Sequence, residues 1–210
     1  MATATIKQFP VDVSQRSLGY NLPQLAGVRL WRPMLAMALM AFIAGTVLGI
    51  VRADEISGGG SAETIERLRH VQAGVMFAGF AAVFAAISFA IARILGQFRK
   101  SGGELQEAAG GRVVTLKMPV TAKVFLATMM MAMMALLGAV VLHFVFAADL
   151  NGSVASLELS EQRFIVLEGV RRVGVAGFLV AITFGLATIA QVLRFQAARL
   201  RELASERHND

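Results

Sequence analysis

The chain of 210 residues contains no cysteine, which excludes disulfides, thiolate metal ligands and cysteine nucleophiles. Charged residues are also scarce: they make up 16 % of the chain, against about a quarter of a soluble domain. Hydrophobic residues reach 56 %, and the mean hydropathy is +0.64. Because the missing charge is concentrated in four segments, the composition predicts membrane spans rather than a uniformly apolar globule.

The four apolar segments cover residues 33–51, 71–94, 120–148 and 173–193. Each is long enough to cross the ~30 Å hydrocarbon core of a bilayer, and backbone groups in lipid are satisfied inside a helix. The predicted fold class is therefore an all-α integral membrane protein with four transmembrane helices. Pro33 is expected in the first turn of the first helix, where its missing N–H removes no helical hydrogen bond.

The spans define the predicted domain organisation. Residues 1–32 form an N-terminal tail, residues 33–148 and 149–193 form a single four-helix membrane domain, and residues 194–210 form a charged C-terminal helix or tail. The N-terminal tail is mostly polar and lacks the apolar core of a cleavable signal peptide. The first span is therefore expected to remain as an anchor.

Lysine and arginine are unevenly distributed among the segments outside the spans. The two tails and the loop between the second and third spans, counted with the adjoining span ends, hold 14 of them, and the other two loops hold 6. Because cytoplasmic loops carry the excess of these residues, this distribution predicts that both termini lie in the cytoplasm. The basic residues lie beside spans, so lipid headgroups are the expected partner rather than nucleic acid, despite a sequence pI of about 10.7.

The two halves of the chain resemble each other. "MAFIAGTVLGIVRADEISG" in the first hairpin is similar to "MALLGAVVLHFVFAADLNG" in the second, with Asp54 and Asp149 just after a span. This similarity predicts two pseudo-repeated hairpins. Ser61 and Ser160 are the expected N-caps of the later helix in each hairpin, so spans two and four are expected to have helical extensions.

Small residues recur every fourth position in three of the spans. Gly45 and Gly49 form a GxxxG pair, and such ridges let helices approach closely in lipid, where no hydrophobic force drives them together. The ridges therefore indicate packing within the bundle or docking of another membrane subunit. The predicted helix-packing residues are Gly45, Gly49, Ala78, Ala82, Ala86, Gly177, Ala181 and Gly185.

Two histidines are the strongest candidates for chemistry, because the spans otherwise contain almost no ionisable residues. His70 opens the second span and His143 lies near the outer end of the third. The favoured interpretation is that they are interfacial residues that form hydrogen bonds or face water. The alternative is that they ligate one b-type haem. Its propionates would then meet cations at a similar level: Arg52, Arg69, Arg171 and Arg172.

Methionines are concentrated in the middle of the third span, where "MMMAMM" covers residues 129–134. Soft thioethers suit Cu(I), so a copper relay is one hypothesis. However, five methionines in six positions cover every face of the helix, which a ligand stripe would not do. The favoured interpretation is flexible side chains filling gaps between spans.

The sequence offers no catalytic constellation and no metal site. It therefore favours a small non-catalytic membrane subunit that docks onto, stabilises or assembles a larger membrane protein complex, without a cofactor. One alternative is a haem b-binding subunit passing electrons between an outer-face redox protein and quinone, and another is a small transporter. The expected partners are lipid and other membrane subunits, with no nucleic acid and no evident soluble substrate. The expected location is a bacterial inner membrane.

Overall fold

Four long helices and one short pair of strands make up this computed structural model, which describes residues 8–13 and 19–209, with side chains described up to residue 205. Each helix is long and apolar enough to cross a membrane. The protein is thus an all-α multi-pass membrane protein by length and composition. The helices are α1 (Leu22–Ser57), α2 (Ala62–Ala108), α3 (Val120–Asp149) and α4 (Val154–Asn209); the strands are β1 (Val11–Val13) and β2 (Val114–Leu116).

Helix α1 begins well before the first apolar segment. The backbone N–H of Gln24 donates to the side-chain oxygen of Asn21 at 3.1 Å, and the N–H of Asn21 donates to the Gln24 side chain at 3.1 Å. This reciprocal pair satisfies two N–H groups that the helix start leaves without partners. Pro23, not Pro33, occupies the first turn. The prediction for Pro33 is wrong, since this residue lies inside α1.

The start of α2 follows its prediction, and the start of α4 does not. The backbone N–H of Thr64 donates to the hydroxyl of Ser61 at 3.1 Å, which confirms Ser61 as an N-cap. At α4 the N–H of Ser156 donates to the hydroxyl of Ser153 at 3.3 Å. Ser160 lies inside the helix and is buried. Its prediction as an N-cap is therefore wrong, because an earlier serine in the same loop fills that position.

Helices α2 and α4 extend beyond the apolar segments. Helix α2 continues through "KSGGELQEA", which lies beyond the second predicted span, and α4 continues to Asn209. A methyl group added at Gly102 would clash with the Gln196 side chain. The glycine, a poor helix former, is therefore retained inside α2 at a point where α4 approaches closely.

The two strands pair antiparallel, with Val11 opposite Leu116 and Val13 opposite Val114. This strand pair is not predictable from the sequence, because strands of three residues are too short for an alternating pattern to be recognised. The Gln106 side chain on α2 holds β2 in place through two hydrogen bonds. Its amide donates to the Val114 carbonyl at 3.1 Å and accepts from the Val114 N–H at 2.8 Å.

The chain divides into two compact units, and the divisions fall inside all four helices. The first unit contains both chain ends, the strand pair and the adjoining helix segments; the second contains the remaining helix segments and the two connections α1–α2 and α3–α4. Unit 1 comprises the described parts of Met1–Trp31, Ile87–Leu126 and Ala181–Asp210, and unit 2 comprises Arg32–Ala86 and Ala127–Val180.

Aromatic and small side chains form the core of unit 2. The rings of Phe84 and Phe178 stack with centroids 4.6 Å apart. Phe77, Ala139 and Leu167 form a further buried cluster. Dispersion between such closely packed groups, rather than the hydrophobic effect, holds helices together where lipid surrounds them.

Unit 1 has its own core and a buried polar chain. Phe195 is buried and meets Phe9 edge to face with centroids 5.7 Å apart. The hydroxyl of Thr121 donates to the Gln191 side-chain oxygen at 3.0 Å, and the buried Thr188 hydroxyl lies 2.9 Å from that of Thr121. These three polar side chains of α3 and α4 therefore satisfy one another.

Candidate functional site

The site lies in unit 2 and consists of four residues, here called the histidine cluster: Glu66 and His70 on α2, His143 on α3 and Ser160 on α4. His70 and His143 are 0 % exposed. Their Nδ1 atoms lie 3.0 Å apart, and Nε2 of His70 lies 2.8 Å from Oγ of Ser160. Three helices thus meet through one continuous chain of polar side chains.

The direction of the hydrogen bonds follows from counting protons. The Ser160 hydroxyl donates to Oε1 of Glu66 at 3.2 Å. Since a hydroxyl has one proton, its oxygen accepts the other bond from Nε2–H of His70. A neutral imidazole carries one N–H, so Nδ1 of His70 then accepts from Nδ1–H of His143. This assignment leaves Nε2 of His143 as a bare lone pair.

Nε2 of His143 is buried and has no hydrogen-bond partner. The Phe77 ring lies edge to face with the His143 ring, with centroids 4.9 Å apart, and the Phe164 ring lies 5.5 Å from it. A buried acceptor without a partner costs about 1–3 kcal/mol. This atom is therefore the chemically unsatisfied point of the cluster, able to accept a hydrogen bond or to bind a metal ion.

Arginines paired with glutamates surround the aromatic rings. Arg69 donates to Glu66 at 3.1 Å, and its guanidinium carbon lies 3.9 Å from the centre of the Phe164 ring. Arg171 forms an ion pair with Glu168 and lies 5.2 Å from the centre of the Phe77 ring. The histidine cluster is thus bordered by cations whose charges are already balanced by a carboxylate and an aromatic face.

The structure brings His70, at the start of the second predicted span, into direct contact with His143, which lies inside the third. Both form hydrogen bonds, as the favoured interpretation expects, and neither faces water. The ring centroids are 5.2 Å apart, so this arrangement leaves no space for a porphyrin between the two imidazoles. A haem held by both histidines therefore requires the hydrogen bond between them to break.

The predicted propionate contacts are not equivalent. Arg69 and Arg171 border the cluster, as described above. Arg172 pairs with Glu168 at 3.4 Å and its side chain is 77 % exposed. Arg52 lies near the end of α1, and its Nε atom is buried without a hydrogen-bond partner.

Sequence reasoning missed Ser160 and Glu66 as members of the cluster. The residue type and sequence position of Ser160 are typical of a helix cap. Those of Glu66 are typical of an exposed residue in the first, charged turns of a helix. The available signal is spacing: Glu66 and His70 are four residues apart on α2, so they share a helix face.

The predicted helix-packing residues lie against neighbouring helices. A methyl group added at Gly45 would lie 2.5 Å from the Met76 side chain, and one at Gly49 would lie 2.7 Å from that of Gln72. Gly177 faces Ala132, and Gly185 faces Ile91 and Phe125. The remaining members are buried or half-buried: Ala78, Ala82, Ala86 and Ala181.

Helix α3 also has an exposed apolar face. Met130, Met131 and Met134 are 61 %, 68 % and 71 % exposed, so the prediction that the methionines fill gaps between spans is wrong for these three. Gly138 is exposed as well, and a methyl group added there meets no heavy atom within 4 Å. We call these residues, with Leu137 and Val141, the methionine face.

Among residues 8–13 and 19–205, no group of three or more histidine, cysteine, aspartate or glutamate side chains is arranged to hold a metal ion. Comparisons with protein-family models, with curated proteins and with solved structures found no match.

Proposed function

We propose that the protein is a small non-catalytic membrane subunit that docks onto, stabilises or assembles a larger membrane protein complex. The observation that carries this proposal is the methionine face of α3, where three exposed thioether side chains lie about one to two helical turns before an exposed glycine in an apolar helix.

Glycine and methionine contribute differently to a surface that binds another helix. Glycine destabilises a helix interior by roughly 0.5–1 kcal/mol relative to alanine, and nothing in the described part of the chain packs on Gly138 closely enough to require it. A missing side chain lets the backbone of another helix approach. The flexible side chains of Met130, Met131 and Met134 adapt to the shape of a partner. Gly138 thus leaves a notch in the helix surface, and the nearby methionine side chains can adapt their conformation to what binds there. Such a surface suits a transmembrane helix of another protein.

The proposed placement in the membrane follows from the sequence. The lysine and arginine distribution supports cytoplasmic termini, and the likeness of the two hairpins supports a pseudo-symmetric arrangement of parallel repeats. We place the protein in a bacterial inner membrane, since it lacks thiols and carries long alanine- and methionine-rich spans.

The test is the size of the native assembly after mild detergent extraction, measured by native gel electrophoresis with mass spectrometry of the separated bands. We expect the wild-type chain in a species heavier than one copy of 22.4 kDa, together with other membrane proteins in fixed ratio. Gly138→Leu fills the notch and should release the single chain. Ala44→Leu is the matched control, because Ala44 is also exposed in an apolar helix, α1, and should leave the assembly intact.

Two results would contradict the proposal. One is a wild-type protein that leaves native membranes as a stable single chain. The other is an assembly containing only copies of this chain, which would make the methionine face a contact between identical subunits.

A second candidate function is a haem b-binding electron-transfer subunit, favoured by the bare Nε2 of His143. Metal-bound histidines usually donate their other ring N–H to an acceptor, and Nδ1 of His143 has such an acceptor in His70. His143 is thus the residue that would hold the iron, which would supply the one-electron chemistry. Absorption spectra of oxidised and reduced protein from native membranes, for wild type and His143→Ala, test this candidate. A wild-type protein without a Soret band eliminates it.

A further inference from the structure

A cavity of about 470 Å³ lies in unit 1, apart from the histidine cluster and from the methionine face. Its walls come from the start of α1, from α2, α3 and α4, from both strands and from the segment that follows β2. A volume of this size is within the range of about 300–1,000 Å³ that is typical of ligand sites.

The lining has an apolar and a polar part. Leu95, Leu126 and Val192 contribute aliphatic side chains from three different helices, and amide side chains of Asn21 and Gln196 also line the cavity. A soluble polar ligand would leave the aliphatic groups facing water, and a pure hydrocarbon would lie against polar side chains to which it offers no hydrogen bond. The lining therefore suits an amphiphile.

Two cationic side chains determine which ligand charge the polar part of the cavity favours. Arg99 and Lys117 both line the cavity, and neither forms an ion pair with any residue that the structure describes. Asp12, an exposed residue of β1, is the one acidic residue among the described lining. The lining thus has a net positive charge, and basic pockets between membrane helices bind anionic lipid headgroups.

We propose that this cavity binds one anionic phospholipid, with the phosphate between Arg99 and Lys117 and an acyl chain against Leu95, Leu126 and Val192. The shared chemistry is a phosphate anion, which a lipid headgroup or a free phosphate supplies. The apolar wall distinguishes the two, because only a lipid fills it.

Native mass spectrometry of the full-length protein, washed free of co-purified lipid, measures the binding. The probes are phosphatidylglycerol and phosphatidylcholine with identical chains, lysophosphatidylglycerol, and glycerol phosphate as the headgroup alone. We expect one tightly bound phosphatidylglycerol per chain, weaker binding of phosphatidylcholine, and an affinity that rises from glycerol phosphate to the one-chain lipid. This series needs no variant, so it does not depend on a substituted protein folding.

Charge variants test the two cations. Arg99→Gln and Lys117→Gln should each weaken phosphatidylglycerol binding about fivefold, the equivalent of about 1 kcal/mol per cation at a membrane surface. Lys100→Gln is the matched control: Lys100 adjoins Arg99 in sequence but pairs with Glu104 at 3.7 Å, and its loss should leave binding unchanged. Val192→Trp should weaken lipid binding by filling the apolar part.

Equal binding of both phospholipids, or an equal loss in Lys100→Gln and Arg99→Gln, overturns the proposal. Glycerol phosphate that binds as tightly as the lipids, and that is insensitive to Val192→Trp, assigns the cavity to a soluble phosphate instead and overturns the lipid assignment.

Discussion

The two faces of α3 differ in the size of their side chains much more than in their polarity. The buried face carries Ala132, Leu136, Ala139, His143 and Ala147, spaced four, three, four and four residues apart. The exposed face carries the bulky methionines with Leu137 and Val141, interrupted by Gly138. In a soluble helix the buried face is the apolar one. Here both faces are apolar except at His143, and small residues mark where other helices approach.

Among substitutions on the two faces, we expect the largest change in the free energy of unfolding at Leu136. This residue is fully buried and lies against Gly174. Leu136→Ala should lower the free energy of unfolding by about 2–5 kcal/mol, since it leaves a cavity between helices. Met134→Ala, on the exposed face of the same helix, should change it by less than about 0.5 kcal/mol. Unfolding in mixed micelles, followed by far-ultraviolet circular dichroism, measures both. Equal losses would mean that the two faces are packed alike.

Two glycines test the difference between the buried and exposed faces further, with an expected effect of intermediate size on the free energy of unfolding. A methyl group added at Gly174 would lie 2.9 Å from the side chain of Leu136, which is fully buried. Gly174→Ala should therefore destabilise the protein by about 1–3 kcal/mol through overpacking. Gly138→Ala meets nothing and should stabilise it by roughly 0.5–1 kcal/mol through helix propensity. The same unfolding measurement decides the sign, and a destabilising Gly138→Ala would reveal a contact of that residue within the protein.

The smallest expected effect is the coupling between His143 on the buried face of α3 and His70 on α2. A cycle of His70→Phe, His143→Phe and the double variant should give an interaction free energy of about 0.6–2 kcal/mol, the range for hydrogen bonds between membrane helices. The double variant should be more stable than the sum of the single losses predicts, because each single variant leaves the other imidazole without its partner. Strict additivity would show that the bond contributes nothing to stability.

The candidate site was only partly visible in the sequence. His70 and His143 stood out because ionisable residues are rare in apolar segments. Their contact could not be derived, because it depends on how α2 packs against α3, and the sequence of each span does not contain that information. Ser160 and Glu66 were missed because their identities fit an exposed helix start equally well. Only the position of α4 shows that the serine hydroxyl joins a histidine to a carboxylate.

The sequence by itself determined that the chain forms four long apolar helices. Span length, the low content of charge and the requirement to satisfy the backbone in lipid are local properties, and they leave the helix as the only solution. Ser61 as a cap and the limits of α3 follow from the same kind of local chemistry. The tertiary structure decided which face of each helix is buried and which polar groups meet. In a helix that is apolar on every side, hydropathy contains no directional signal, so contact with neighbouring helices alone separates His143 and Leu136 from the exposed methionines.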